Sequence, residues 1–181
     1  MIIDSGGPRV SLDEVVLMAH RTPCGRTRVV LAPGPQGAPD SLRVVYYGSV
    51  HRVGDELWMW YRGQSDEPGW QERVCLARSR DGHHWEKPDL GLVSYRGSRH
   101  NNLVDLNQAE HHVQACVVYH DPEDPDPGRR FKMAFESRRY QNRLAVAYSA
   151  DGLTWREAVD NPRGPNLEMA GATRLAAIPF T

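Results

Sequence analysis

Lysine, phenylalanine and long apolar runs are all scarce in this chain. Of its 22 basic side chains only Lys87 and Lys132 are lysine; the rest are arginine, set against 23 acidic residues for a formal net charge of -1. No basic excess marks a nucleic-acid surface or an anionic membrane as a partner. The opening Met1-Ile-Ile-Asp-Ser-Gly-Gly has neither the basic nor the apolar segment of a signal peptide. No stretch approaches the roughly 20 apolar residues that cross a bilayer. A cytoplasmic protein is therefore expected. Cysteine is sparse too: Cys24, Cys75 and Cys116 are odd in number and lack metal or redox spacing. A disulfide framework, a metal and a cofactor are all unexpected on that pattern. Cys75 and Cys116 sit in apolar runs and read as small core residues.

What is present is β text with a repeat. At 181 residues the chain is long enough to bury a real core. The stretch Arg73-Val-Cys-Leu-Ala-Arg-Ser-Arg-Asp-Gly-His-His-Trp85 returns as Arg143-Leu-Ala-Val-Ala-Tyr-Ser-Ala-Asp-Gly-Leu-Thr-Trp155, in register at an offset of 70. Self-similarity at a fixed period signals a repeat architecture. Around the first copy, residues 43–52 and 57–62 read as strands joined at Gly54-Asp55, a strong hairpin signal. Residues 73–79 form a third strand, and a short fourth is expected at Trp85. The second copy repeats the meander at 112–119, 131–136, 144–149 and Trp155, with an acidic, proline-rich turn over 121–128. Met59 aligns with Met133 at an offset of 74, and Gly48 with Ala115 at 67.

Repeated four-stranded antiparallel meanders are what β-propeller blades look like in sequence. The fold class is thus an all-β, incomplete β-propeller: about two blades plus the start of a third. Residues 1–40 are read as preamble and connector, with Ser11-Leu-Asp-Glu14 fitting a capping box for a turn of helix or, equally, a strand. Blade one then spans about 42–88, blade two about 111–158, and blade three begins at about 167–181. A closed propeller needs at least four blades. The expectation is the N-terminal part of a longer propeller, inactive by itself and prone to self-association through open blade edges.

The text Ala77-Arg-Ser-Arg-Asp-Gly-His-His-Trp-Glu-Lys-Pro-Asp-Leu-Gly91, followed by Asn101-Asn102-Leu-Val, resembles the five-bladed propeller glycoside hydrolases: arabinanases, β-fructosidases and related mannoside phosphorylases. Gly164-Pro-Asn-Leu-Glu-Met-Ala-Gly-Ala-Thr-Arg is similar to a passage that opens a later blade in that clan. Ser149-Ala-Asp-Gly-Leu-Thr-Trp155 also resembles the Asp-box of sialidase-type propellers, short by one residue. In both settings the motif is structural: aspartate accepts hydrogen bonds from its own turn, glycine takes a positive φ, and tryptophan packs.

The resemblance implies a glycan in the central channel and carboxylates at its mouth, carried by the openings of successive first strands. A glycosidic bond is cleaved between one protonated and one ionised carboxyl group. On that pattern Glu168 takes the general-acid place and Glu110 that of a second carboxylate; the bland alternative for each is a loop glutamate. His111 and His112 would hold sugar hydroxyls. Tyr46 and Tyr47 are candidates for sugar stacking, although aromatic residues on β-strands equally pack sheets. Blade one opens on Val45-Tyr46-Tyr47 with no acid nearer than Asp40, a departure from the clan's pattern. Two further readings stay open: a non-catalytic glycan-binding or scaffolding propeller, and a sialidase-like one. Asp121 is read as turn chemistry, with a weak calcium site as the sharper option.

Overall fold

A computed structural model describes residues 29–68, 71–107 and 112–165. The expected capping box at Ser11 to Glu14 and the start of a third unit lie outside the described residues. Among the described residues, seven strands run in order: β1 Arg43–Val53, β2 Glu56–Gln64, β3 Glu72–Ser79, β4 Val113–His120, β5 Phe131–Ser137, β6 Arg143–Ser149 and β7 Arg156–Glu157. They form two antiparallel meanders, β1-β2-β3 and β4-β5-β6-β7. This is the blade pattern expected of an all-β, partial propeller.

Matching register makes the blades equivalent. Met59 pairs with Ala77 in the first sheet, as Met133 pairs with Ala147 in the second. Along the first strands the offset is 68 rather than 67, because Ser49 faces Trp60 where Val117 faces Ala134. Gly48 thus corresponds to Cys116, not Ala115. The cause is a pair of unequal bulges. Three residues, Tyr46 to Gly48, lie opposite Tyr61 in β1, while β4 inserts only Gln114. Gly48 is needed there, since a Cβ would sit 1.9 Å from the Trp60 carbonyl oxygen.

The fourth strand of the first blade is split. Glu86, directly after Trp85, pairs with Arg78, and Leu103 pairs separately with Cys75. In the second blade β7 pairs with β6 at Ala147 and Tyr148. The Asn161 amide then stands in for a strand, donating to Val146 O and accepting from Val146 N at 2.9 Å each. Asn102 serves the equivalent Leu76, whose N–H it receives on its main-chain oxygen and whose carbonyl it meets with its amide.

The main core lies between the sheets. Trp60, Val74 and Leu76 of the first pack with Cys116, Val118, Phe131, Met133, Phe135 and Trp155 of the second. A smaller cluster covers the opposite face of the first sheet, where Met59, Tyr61, Cys75 and Ala77 meet Leu31, Tyr95 and Leu103. Tryptophans 58 and 60 therefore alternate with Met59 and Tyr61 because the strand is covered on both faces.

Polar contacts fix how the blades meet. The first strands lie side by side: Val118 N donates to Ser49 Oγ at 2.9 Å, and His51 Nε2 donates to Val118 O at 2.7 Å. The Trp60 indole donates to the Gly152 carbonyl at 2.9 Å. Adjacent first strands are what a propeller needs to line a channel.

Candidate functional site

The registers bring six strand ends to one edge of the two sheets. Arg43, Gln64 and Glu72 are paired across the first sheet, and Val113, Ser137 and Arg143 are aligned through β5 across the second. Along β2 the residues facing the second sheet run Trp58, Trp60, Arg62, Gln64, apolar in the middle and polar at this edge. Opposite them β3 runs Leu76, Val74, Glu72. At this edge the apolar core therefore gives way to buried polar and ionisable side chains.

Arg62 bridges the blades. One guanidinium nitrogen lies 3.5 Å from Glu72 Oε2, with both side chains little exposed at 12% and 13%. The same nitrogen makes a short hydrogen bond to the carbonyl of Gln114 in β4. Burial raises the Glu72 carboxyl above the usual range, and the Arg62, Arg43 and Arg138 guanidinium groups only partly oppose it. Gln64, 1% exposed, has neither amide atom hydrogen-bonded among the described residues. Leaving such a group unpaired costs about 1–3 kcal/mol.

His112 stands at the same edge, immediately before β4, in the left-handed region at φ 49°. Its Nδ1 is buried without a partner among the described residues. Burial lowers its pKa, and the Arg138 and Arg73 charges add to this while Glu67 opposes them. The ring is therefore neutral near pH 7 and keeps one nitrogen free as an acceptor or donor. Tyr46 lies in the β1 bulge at 58% exposure, open to a ligand. Glu168, Glu110, His111 and the Tyr47 side chain lie outside the described residues. Of the residues expected from sequence, His112 lies at this edge and Tyr46 in the β1 bulge, whereas Arg62, Gln64 and Glu72 were not among them. The resemblance puts carboxylates at the openings of first strands, whereas Glu72 opens a third strand. The available signal was the polar end of an otherwise apolar, inward-facing alternation.

Other chemistry is ruled in or out locally. Burial pushes the Cys116 thiol up to about 12, against the Arg62 charge, and raises Cys75 as well. Neither is a nucleophile at neutral pH. Asp121 belongs to a turn in which the Lys132 ammonium lies 3.2 Å from its carboxylate and 2.7 Å from that of Asp124. A lysine thus occupies the place a cation would take.

The two tryptophan turns are structural throughout. Ser79 Oγ accepts from Gly82 N at 2.9 Å, and Asp81 Oδ1 from His83 N and His84 N at 2.7 and 2.8 Å. Ser149 and Asp151 repeat this at Gly152, Leu153 and Thr154. Both glycines have φ +74°.

No family model matches the chain. It is 32% identical over 118 residues to an uncharacterized protein of Mycobacterium tuberculosis (strain CDC 1551 / Oshkosh), covering 61% of this chain and 33% of that protein. The chain thus spans about a third of the curated relative it matches. Among solved structures, it is similar to a glycoside hydrolase at 20% identity and TM-score 0.50, over 78% of this chain and 46% of the other. A second is a structure from the GH130 family of mannoside phosphorylases, described with glycoside hydrolases that target β-1,2 mannosidic linkages in Candida mannan. There the identity is 15% and the TM-score 0.50, over 71% of this chain and 38% of the other. The chain has the blade fold of the propeller-type glycoside hydrolases.

Proposed function

We propose that the protein is carbohydrate-active, and that a glycan binds at the edge where β1 and β4 open. The observation that carries this reading is the Glu72 carboxyl, held above its ordinary range between two blades and beside Arg62. A carboxyl that stays protonated longer than usual can hand a proton to a glycosidic oxygen as the bond breaks. Gln64 and His112 supply unused hydrogen-bonding atoms for sugar hydroxyls, and Tyr46 an exposed ring. Hydrolysis needs a second, ionised carboxylate; Glu110, two residues before His112 in sequence, and Glu168 are the proposed sources.

The test is kinetic. Glu72→Gln, made in the longer propeller of which this chain is expected to be part and assayed on a panel of aryl glycosides, is expected to lower kcat by about 10²–10⁴-fold with little change in KM. The wild-type rate should fall on the alkaline side, as the raised Glu72 pKa is passed and the acid loses its proton. Unchanged turnover removes Glu72 as the acid.

The second reading, a non-catalytic glycan-binding propeller, is favoured by the opening of β1, where Val45 and Tyr46 stand in place of an acid. It predicts glycan affinity without turnover, in the wild type as in the variant.

A further inference from the structure

On the face of the first sheet turned away from the second, a cavity of about 520 Å³ lies between the segment at 34–40 and the loop at 87–102. That volume is within the roughly 300–1,000 Å³ of small-molecule sites. It is separate from the polar inter-sheet edge, and none of Arg62, Gln64, Glu72 or His112 lines it.

The base of the cavity is a buried polar chain. Asn102 Nδ2 donates to the Tyr61 hydroxyl at 2.8 Å, and that hydroxyl donates to Asp40 Oδ2 at 2.8 Å. Lys87 Nζ lies 2.5 Å from the same Asp40 oxygen and donates to Ala32 O at 2.6 Å. Asp40 is 1% exposed, yet its Oδ1 has no hydrogen-bond partner among the described residues. Tyr95, 7% exposed, is in the same condition at its hydroxyl. Its ring is held in place, with the Arg73 and Arg96 guanidinium carbons 4.9 and 5.6 Å from the centroid. Two residues that line the cavity thus carry buried polar atoms, the Tyr95 hydroxyl and Asp40 Oδ1, with no hydrogen-bond partner among the described residues.

Charge decides the class of ligand. Each ionic group around the cavity is matched within the protein: Lys87 by Asp40, Arg96 by Asp66 at 2.8 Å, and His100 with Asp89 at 2.6 Å. A charged ligand would have to break one of these pairs, whereas a neutral one leaves them intact. Pro35, Pro39 and Pro88 supply apolar walls. Apolar walls with convergent hydroxyl, amide and carboxylate groups suit a ring that is apolar on its faces and hydroxylated at its edge.

We propose that this cavity is a second saccharide site, one that takes a neutral mono- or disaccharide independently of the inter-sheet edge. The test titrates the 15N-labelled full chain with maltose, cellobiose and mannobiose, with glucuronic acid as the charged comparison. Binding on the order of 10 mM or tighter is expected to shift the Gly37, Ser98 and Asn101 amides. Tyr95→Phe keeps the ring and its arginine contacts, and is expected to weaken binding by about fivefold through loss of one hydrogen bond. Gln36→Ala, at an exposed position on the wall, gives a second reading if Tyr95→Phe perturbs the fold; it too should weaken the response. Glu72→Gln should leave affinity at this cavity unchanged, so failure here and failure of the inter-sheet reading are separable. Absence of shifts at these amides with all three disaccharides overturns the proposal. So does equal affinity in Tyr95→Phe and Gln36→Ala, or a preference for glucuronic acid.

Discussion

The turn after β3 and the turn after β6 share one hydrogen-bond skeleton and sit in different surroundings. In the first, Trp85 is half-buried and its indole donates to its own turn, at Gly82 O, 3.0 Å away. In the second, the matching carbonyl of Gly152 takes its donor from Trp60 of the neighbouring blade, and Trp155 is 8% exposed within the inter-sheet core. A Cβ on Gly82 would only touch Leu57 at 3.4 Å, but on Gly152 it would lie 2.9 Å from the Trp60 ring and 3.1 Å from Phe131. One motif therefore closes a turn in blade one, and both closes a turn and joins two blades in blade two. The lesson is that a structural repeat acquires its energetic weight from what packs on it, not from its own internal bonds.

The largest break in this comparison comes from the tryptophans. Trp155→Ala is expected to cost about 3–5 kcal/mol, because it empties a packed inter-sheet volume. Trp85→Ala should cost roughly 1–2 kcal/mol, since its side chain already meets solvent. Urea unfolding midpoints of the two variants measure the gap; equal losses would mean that the blades do not share a core.

The glycines come next. Both occupy the left-handed region, so alanine strains both turns by about 1 kcal/mol. Gly152→Ala adds overlap with Trp60 and Phe131, for a total of about 2–3 kcal/mol. Trp60 fluorescence should change in Gly152→Ala and stay as it is in Gly82→Ala.

The aspartates sharpen the comparison most gently. Burial works to raise the Asp151 pKa, but the Thr154 and Leu153 N–H groups and the Ser149 hydroxyl outweigh it and hold the carboxyl below its ordinary value. Asp81 is likewise held low, first by the His84 ring and then by the His84 and His83 N–H groups. A depressed folded pKa contributes stability that is present above about pH 3.9 and is lost as pH falls through the folded value. Asp151→Asn and Asp81→Asn should each flatten the decline in stability between pH 5 and pH 2. Added salt should reduce the Asp81 share more, because its leading partner is an exposed side chain rather than backbone N–H.

Much of the architecture was legible because strand periodicity and turn chemistry are local. The Gly54-Asp55 hairpin and the two Ser-x-Asp-Gly-x-x-Trp turns each follow from neighbours a few residues away. The bulge at Tyr46 to Gly48 was not legible, because the length of a bulge depends on the partner strand. The split outer strand was also hidden. Asn102 and Asn161 reach equivalent carbonyls, yet stand 59 residues apart rather than 70, so no fixed offset reveals them. The candidate site was only partly visible: His112 was expected from the opening of a first strand and Tyr46 as an aromatic for stacking, while Arg62, Gln64 and Glu72 became a group only through cross-strand pairing.

Sequence alone determined the class of fold, the order of the three inner strands in each meander and the structural nature of the repeat. Those depend on patterns with periods of two residues and on turns of four. Tertiary structure alone decided that Trp60 serves the second blade's turn, that Arg62 bridges to Gln114, and that a cavity lies over Asp40 and Tyr95. Each of these joins residues dozens of positions apart, and the burial that gives them their chemistry exists only once the sheets are packed.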